Sequence, residues 1–343
     1  MTSIEMLKLN LLSPIVLAFL LGAIAKLVKS ELSLPKELYD SLSIYLLLAL
    51  GLKGGVELSH SSFDVIAFPV VASVALGIIT PISAYFLMRK IGKMSGIDAA
   101  ALAAHYGSVS AVTFIAANQF VSNIGFDAEG FMPALVTFME SPGILVGLAI
   151  GAIYKSKRLL PNSESIIAPL KKDLIRPQNL NLPKNLFHEI FTSRSMLLMV
   201  GGLIIGFLGG AKAYEPVKPF FDTGFKGALV LFMLEMGIVA ASRVASLKKV
   251  GFALTSLALA LPILHGFLGV LFGTLVHLSV GGAAVLGAIT GSASYIAAPP
   301  AVRMTLPEAN PTYYLTASLV VTFPFNLAFG IPLFFKMARL LHG

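Results

Sequence analysis

The amino-acid sequence predicts an all-α integral membrane protein, and three observations carry that prediction. Hydrophobic residues make up 56% of the chain and charged residues 12%, where soluble domains carry about 25% charged residues; mean hydropathy is +0.86. Long apolar runs follow one another along the 343 residues, each near the about 20 residues that a helix needs to cross a ~30 Å hydrocarbon core. One unusual stretch occurs twice, as DAAALAAHYGSVSAVTFIAAN from Asp98 and as GGAAVLGAITGSASYIAAPPAVRMT from Gly281, with Gly107-Ser108-Val109-Ser110 set over Gly291-Ser292-Ala293-Ser294.

Taken in order, ten segments qualify as spans: Leu11–Val28, Leu38–Leu58, Val65–Met88, Ala99–Val121, Phe131–Tyr154, Met196–Ala211, Thr223–Ala241, Val250–Val276, Gly281–Val302 and Tyr313–Leu341. Between the fifth and the sixth lies a stretch rich in Pro, Asn, Lys and Arg, whose Pro161, Pro169, Pro177 and Pro183 argue against a long helix. The chain therefore divides into a first repeat (1–154), a linker (155–195) and a second repeat (196–343). Five spans per half is an odd number, so the second half enters the membrane from the opposite side and the repeats are inverted.

The fourth and ninth segments cannot run as unbroken helices. Glycine costs ~1 kcal/mol inside a helix and proline ~3, so the backbone is expected to open at Gly107–Ala111 and at Gly291–Pro300. Such backbone survives at membrane depth only where protein covers it or where it lines a wet cavity. The match between halves extends to Pro142 with Pro324 and roughly to Gly51 with Gly237. A single Gly-Ser-x-Ser would signal only close helix packing; its recurrence at one place in each half is the stronger sign.

Lys and Arg concentrate in the first, third, fifth, seventh and ninth connections, among them Lys26, Lys29, Arg89, Lys90, Lys93, Arg243, Lys248, Lys249 and Arg303. By the positive-inside rule the linker is cytoplasmic and both termini face out, the expected location being the inner (plasma) membrane. The linker's Lys155, Lys157, Arg158, Lys171, Lys172 and Arg176 suit contact with anionic lipid.

Two opened helices near mid-membrane offer half-helix N-termini, each carrying a partial positive charge of roughly half a unit, which can hold a small anion without arginine. The hydroxyls of Ser108, Ser110, Thr113, Ser292 and Ser294 can donate to it, or be satisfied by a carbonyl four residues back. Freed carbonyls, those of Gly107 and Gly291 first, face a cation instead. Glu140 lies deep in the fifth segment, where an unpaired acid costs a few kcal/mol, and is the leading cation or proton ligand. Glu235 is either paired structurally or used in transport, and Asn326 either ligates an ion or bonds to a neighbouring helix. His105, His265 and His277 read as packing or interfacial histidines, though His105 adjoins a break.

Other chemistries find little here. The chain has no cysteine, no His-Glu-x-x-His helix and no Gly-rich phosphate loop, and Ser108 and Ser292 have no base beyond His105. No cofactor and no enzymatic activity are expected. The net charge of +8 is spread between apolar segments rather than gathered in an aromatic-laced patch, which argues against nucleic acid.

At Gly51-Leu52-Lys53-Gly54-Gly55, Gly107 through Thr113, Glu140, Pro262 to Gly266, and above all Pro299 to Arg303 followed by Pro307 and Ala309-Asn310-Pro311, the sequence resembles the sodium-dependent bicarbonate transporter family of cyanobacterial type, as a divergent member. The resemblance spans nearly the whole chain. It implies a core domain moving against a gate domain, a homotrimer, uptake of bicarbonate with Na⁺ as coupling ion, and a cytoplasmic partner similar to the PII signalling proteins. By position it implies Ser110 and Thr113 as first-half ligands and Ser292 and Ser294 as second-half ones. The family's acid before Gly-Pro-Pro is Tyr295 here, and its last serine is Ala297. Tyr295 is neutral at pH 7 and is expected to orient the anion through its hydroxyl. The alternatives are symport of another small carboxylate or anion, with H⁺ in place of Na⁺, and a receptor that binds the anion without moving it.

Overall fold

The computed structural model describes residues 3–158 and 186–343, so most of the expected linker lies outside the described residues. The fold is helical, with no strand among the described residues. The chain opens with α1 (Ser3–Leu11) and α2 (Pro14–Leu27), bent against each other by 58°. There follow α3 (Lys36–His60), α4 (Phe63–Lys90), α5 (Gly96–Gly107), α6 (Ala111–Asn123) and α7 (Met132–Arg158). After the linker come α8 (Leu186–Phe191), α9 (Arg194–Tyr214), α10 (Gly224–Ser242), α11 (Leu247–Leu275), α12 (Val280–Thr290) and α13 (Ala298–Thr305). The last run, α14 (Pro311–Leu341), contains two wide π-helical turns at Thr316–Thr322 and Asn326–Gly330.

Among the described residues, seven helical stretches are long and apolar enough to cross a membrane, or eight when the bent α1–α2 pair counts as one. The ten expected segments do not all separate by length and composition. Residues Pro219–Leu275 form one 57-residue stretch, and α12 at 11 residues is too short to cross alone. Helix α7 runs on past Tyr154 to Arg158.

Serine starts many of these helices, because its hydroxyl can accept one of the N–H groups that a helix start leaves without an intrahelical carbonyl. Ser13 caps Val16, Ser95 caps Asp98 and Ser110 caps Thr113; in the second half Ser193 caps Met196 and Ser279 caps Gly282. Ser95 and Ser279 stand at the offset that sets Gly107 over Gly291. So do Lys93 and His277, which precede those caps with φ of 51° and 61°, a left-handed conformation that L-residues rarely adopt. The backbone thus takes the same local form at these two pairs of positions.

Two groups of helices form the bundle. In one, α3 packs along α9 and α2 along α10, and glycines let the backbones touch. A Cβ on Gly55 would lie 2.1 Å from the Leu203 carbonyl oxygen, and one on Gly206 would lie 2.1 Å from that of Leu52. Across the other pair, a Cβ on Gly22 would lie 1.9 Å from the Leu234 carbonyl oxygen and one on Gly237 would lie 2.0 Å from that of Phe19. Close approach through small residues is how helices associate where lipid removes the hydrophobic drive. In the second group α4, α5 and α7 pack together, as do α11, α12 and α14, and the broken helices join the two sets through α12 on α6 and α13 on α5 and α7. At one surface of this group the Lys155 ammonium donates to Glu308 and holds that carboxyl below its usual pKa.

Candidate functional site

Both breaks are where the sequence placed their starts, but the second closes earlier. The first covers Ser108-Val109-Ser110 between α5 and α6; the second runs from Gly291 to Ala297, and α13 resumes at Ala298. Pro299 and Pro300 therefore begin α13 rather than prolong the opening. Proline needs no N–H in a first turn, and its fixed φ suits that position.

The two open segments cross and hydrogen-bond to each other. The Ser294 N–H donates to the carbonyls of His105 at 2.8 Å and Ser108 at 3.1 Å, while the Ser110 N–H donates to Ser292 Oγ at 2.8 Å. Ser292 Oγ in turn donates to the Ile289 carbonyl at 2.6 Å. Ser110 Oγ accepts from the Thr113 N–H at 3.2 Å, and Ser294 Oγ accepts from the N–H groups of Ala297 at 3.2 Å and Ala298 at 3.3 Å. Ser110 and Ser294 thus use their oxygens to accept from the backbone, which leaves each one O–H to donate.

Beside this crossing lies a cavity between the two helix groups. The broken segments and α7 contribute Ser110, Ser294, Tyr295 and Glu140; α3, α9 and α10 close it with Ser43, Leu46, Leu47, Ser195, Met199 and Phe232. The first turn of α6 lines it through Ala111 and Val112, whose N–H groups have no carbonyl of their own helix to bond. The Tyr295 hydroxyl lies beside the Ser110 side chain. Glu140 is 5% exposed, and its Oε2 has no hydrogen-bond partner.

The remaining candidates stand back from the cavity. Ser292 is engaged with Ile289 and Ser110, while Ser108 and Thr113 are buried with hydroxyls that have no partner. Gly107 packs against Gly143 and Pro81, and Gly291 against Pro262 and Phe334. Asn326 Nδ2 donates to the Gly291 carbonyl at 2.9 Å, so those two bind each other. His105 donates from Nδ1 to the Ala101 carbonyl at 2.7 Å and stacks on Tyr314, and His265 Nε2 meets Ser83 Oγ at 2.8 Å. His277 ends α11 with its left-handed backbone. Glu235 lies outside the cavity, one carboxylate oxygen buried without a hydrogen bond. Ser43 and Ser195 escaped the sequence reading, since neither belongs to the repeated motif.

A second, larger and more polar cavity opens next to the first, lined among others by Lys53, Glu57, Asn118, Glu129, Asp222 and Lys226. Ile115 forms part of the wall of both.

Apolar helices of this length, with two interrupted helices crossing beside a buried cavity, fit a multi-pass membrane protein. Residues 14–339 match the profile of the Na⁺-dependent bicarbonate transporter superfamily. The chain belongs to that superfamily. Comparison with curated proteins gave no match.

Proposed function

We propose that the protein is a secondary active transporter that takes up bicarbonate, or a small anion of the same kind, together with Na⁺. The observation that carries this reading is the cavity in which the starts of two half-helices, the free O–H groups of Ser110 and Ser294, and Tyr295 meet the buried acid Glu140. Oriented N–H groups and hydroxyls suit an anion. A carboxylate in the same space repels that anion unless a cation accompanies it, which is the physical root of coupling. Ser108, Thr113 and Ser292 support the crossing from behind, and Glu140 holds the cation.

Ten crossings in two inverted repeats of five fit the geometry. The 57-residue stretch holds two helices of 19 and 29 residues, and α12 with α13 reads as one broken span. Pairings exchange between halves: α3 on α9 answers α10 on α2, and α12 on α6 answers α5 on α13, as a two-fold relation requires. The glycine-paired group α2, α3, α9 and α10 is then the gate and the remainder the core. An inner-membrane location with both termini outside and the linker inside follows from the lysine and arginine distribution. The homotrimer and a PII-like regulator rest on the family resemblance alone.

Purified protein in liposomes should accumulate labelled bicarbonate when an inward Na⁺ gradient is imposed, and Glu140→Gln should abolish the Na⁺ dependence. Binding without accumulation would make the protein a receptor. A second reading, proton coupling, is favoured by the unpartnered Oε2 of Glu140; accumulation driven by a pH gradient and indifferent to Na⁺ would select it.

A further inference from the structure

We propose that the gate helices complete the anion site, with Ser43 of α3 and Ser195 of α9 donating hydrogen bonds to the same anion that the broken helices hold. The inference deepens the transport reading and rests on it. Both serines line the cavity shared with Ser110 and Ser294, and both are buried, at 5% and 7% exposure. Ser195 Oγ is without any hydrogen-bond partner. A buried hydroxyl left unpaired costs roughly 1–3 kcal/mol, a cost that alanine would avoid, so its retention beside a cavity points to a ligand with oxygen acceptors.

The ligand class follows from the opposing wall. Ser110 and Ser294 each spend their oxygen on a backbone N–H and have one O–H left. A trigonal oxyanion has three oxygens. Those turned toward the broken helices meet the half-helix starts and the two capping hydroxyls, and an oxygen turned the other way faces α3 and α9. There the surroundings are Leu46, Leu47, Met199 and Phe232, and Ser43 and Ser195 are the hydroxyls available to it. The anion would bridge the two helix groups in this arrangement, and sliding the core against the gate would exchange two of its ligands.

Equilibrium binding of radiolabelled bicarbonate to the purified full chain tests this, with the wild type and Ser110→Ala run alongside. Ser43→Ala/Ser195→Ala is expected to raise the Kd by ~10²–10⁴-fold, as loss of two hydrogen bonds to a charged ligand implies, while its melting temperature stays at the wild-type value or rises. Ser43→Thr, which keeps the hydroxyl, should bind within a few-fold of wild type. An unchanged Kd in the double variant, with Ser110→Ala weakened, would show that the core binds the anion alone and overturn the inference. Loss of binding accompanied by a lowered melting temperature would also overturn it, by making the serines structural. A wild type that binds no bicarbonate would instead overturn the transport reading itself.

Discussion

The two breaks follow matching sequence motifs, yet each is sealed by different chemistry. In the first half the residue after Pro142 is Gly143, and it presses against the opening of the break so closely that a Cβ there would sit 1.9 Å from the Gly107 carbonyl oxygen. In the second half the residue after Pro324 is Phe325, and the next, Asn326, reaches back to the Gly291 carbonyl with a 2.9 Å hydrogen bond. One seal is a close approach of backbones and the other a side-chain amide. The crossing is unequal too: Ser292 lends its hydroxyl to the first break, whereas the second receives backbone carbonyls from His105 and Ser108. A repeat fixes where the backbone must open, and each half then solves the exposed-carbonyl problem with the residues it has.

This comparison can be broken by experiment. Gly143→Ala should have the largest effect, because its new methyl meets main chain that cannot turn aside. Overpacking of this kind costs about 1–3 kcal/mol and sometimes more, so a clear fall in melting temperature and loss of uptake are expected; wild-type melting would mean that the first seal is not steric. Asn326→Leu, similar in size, leaves a buried carbonyl unpaired and should cost ~1–3 kcal/mol in denaturant-free thermal melts. A neutral result would show that the second seal does not depend on the amide. The finest test sets Ser292→Ala against Ser108→Ala. The first strips the Ser110 N–H of its acceptor and should destabilise by about 1 kcal/mol. The second removes a buried hydroxyl that has no partner and should leave stability unchanged or raise it. Equal losses would mean that the Ser292 hydroxyl gives the first break no special support.

Much of this was legible in the sequence because it is local. Glycine and serine in an apolar run mark an opening wherever they occur, and their recurrence located both breaks, though not the capping role of Ser110 and Ser294. The depth of Glu140 within an apolar segment singled it out, and it lines the cavity. Pro299 and Pro300 misled because a proline pair reads as a breaker until the helix start is known, and only then as a first turn. Helix α1, nine residues long, is too short to register as a span. Ser43 and Ser195 were hidden for a different reason: their significance depends on α3 lying along α9, a pairing between distant parts of the chain. The signal that existed was Gly51-x-x-x-Gly55 and Gly202-x-x-x-Gly206, two glycine spacings that foretell which helices touch.

That glycine pairing also bears on how the protein is made. Each pair in the first helix group joins one helix from either side of the linker, α2 with α10 and α3 with α9. While the first half is being synthesised, α2 and α3 must wait in the bilayer with their glycine seams open to lipid, and they find their partners only when the chain after residue 194 has been inserted. Neither half can finish its own share of the bundle. Assembly is therefore an event of the whole chain, and two halves produced as separate polypeptides should depend on each other for survival in the membrane.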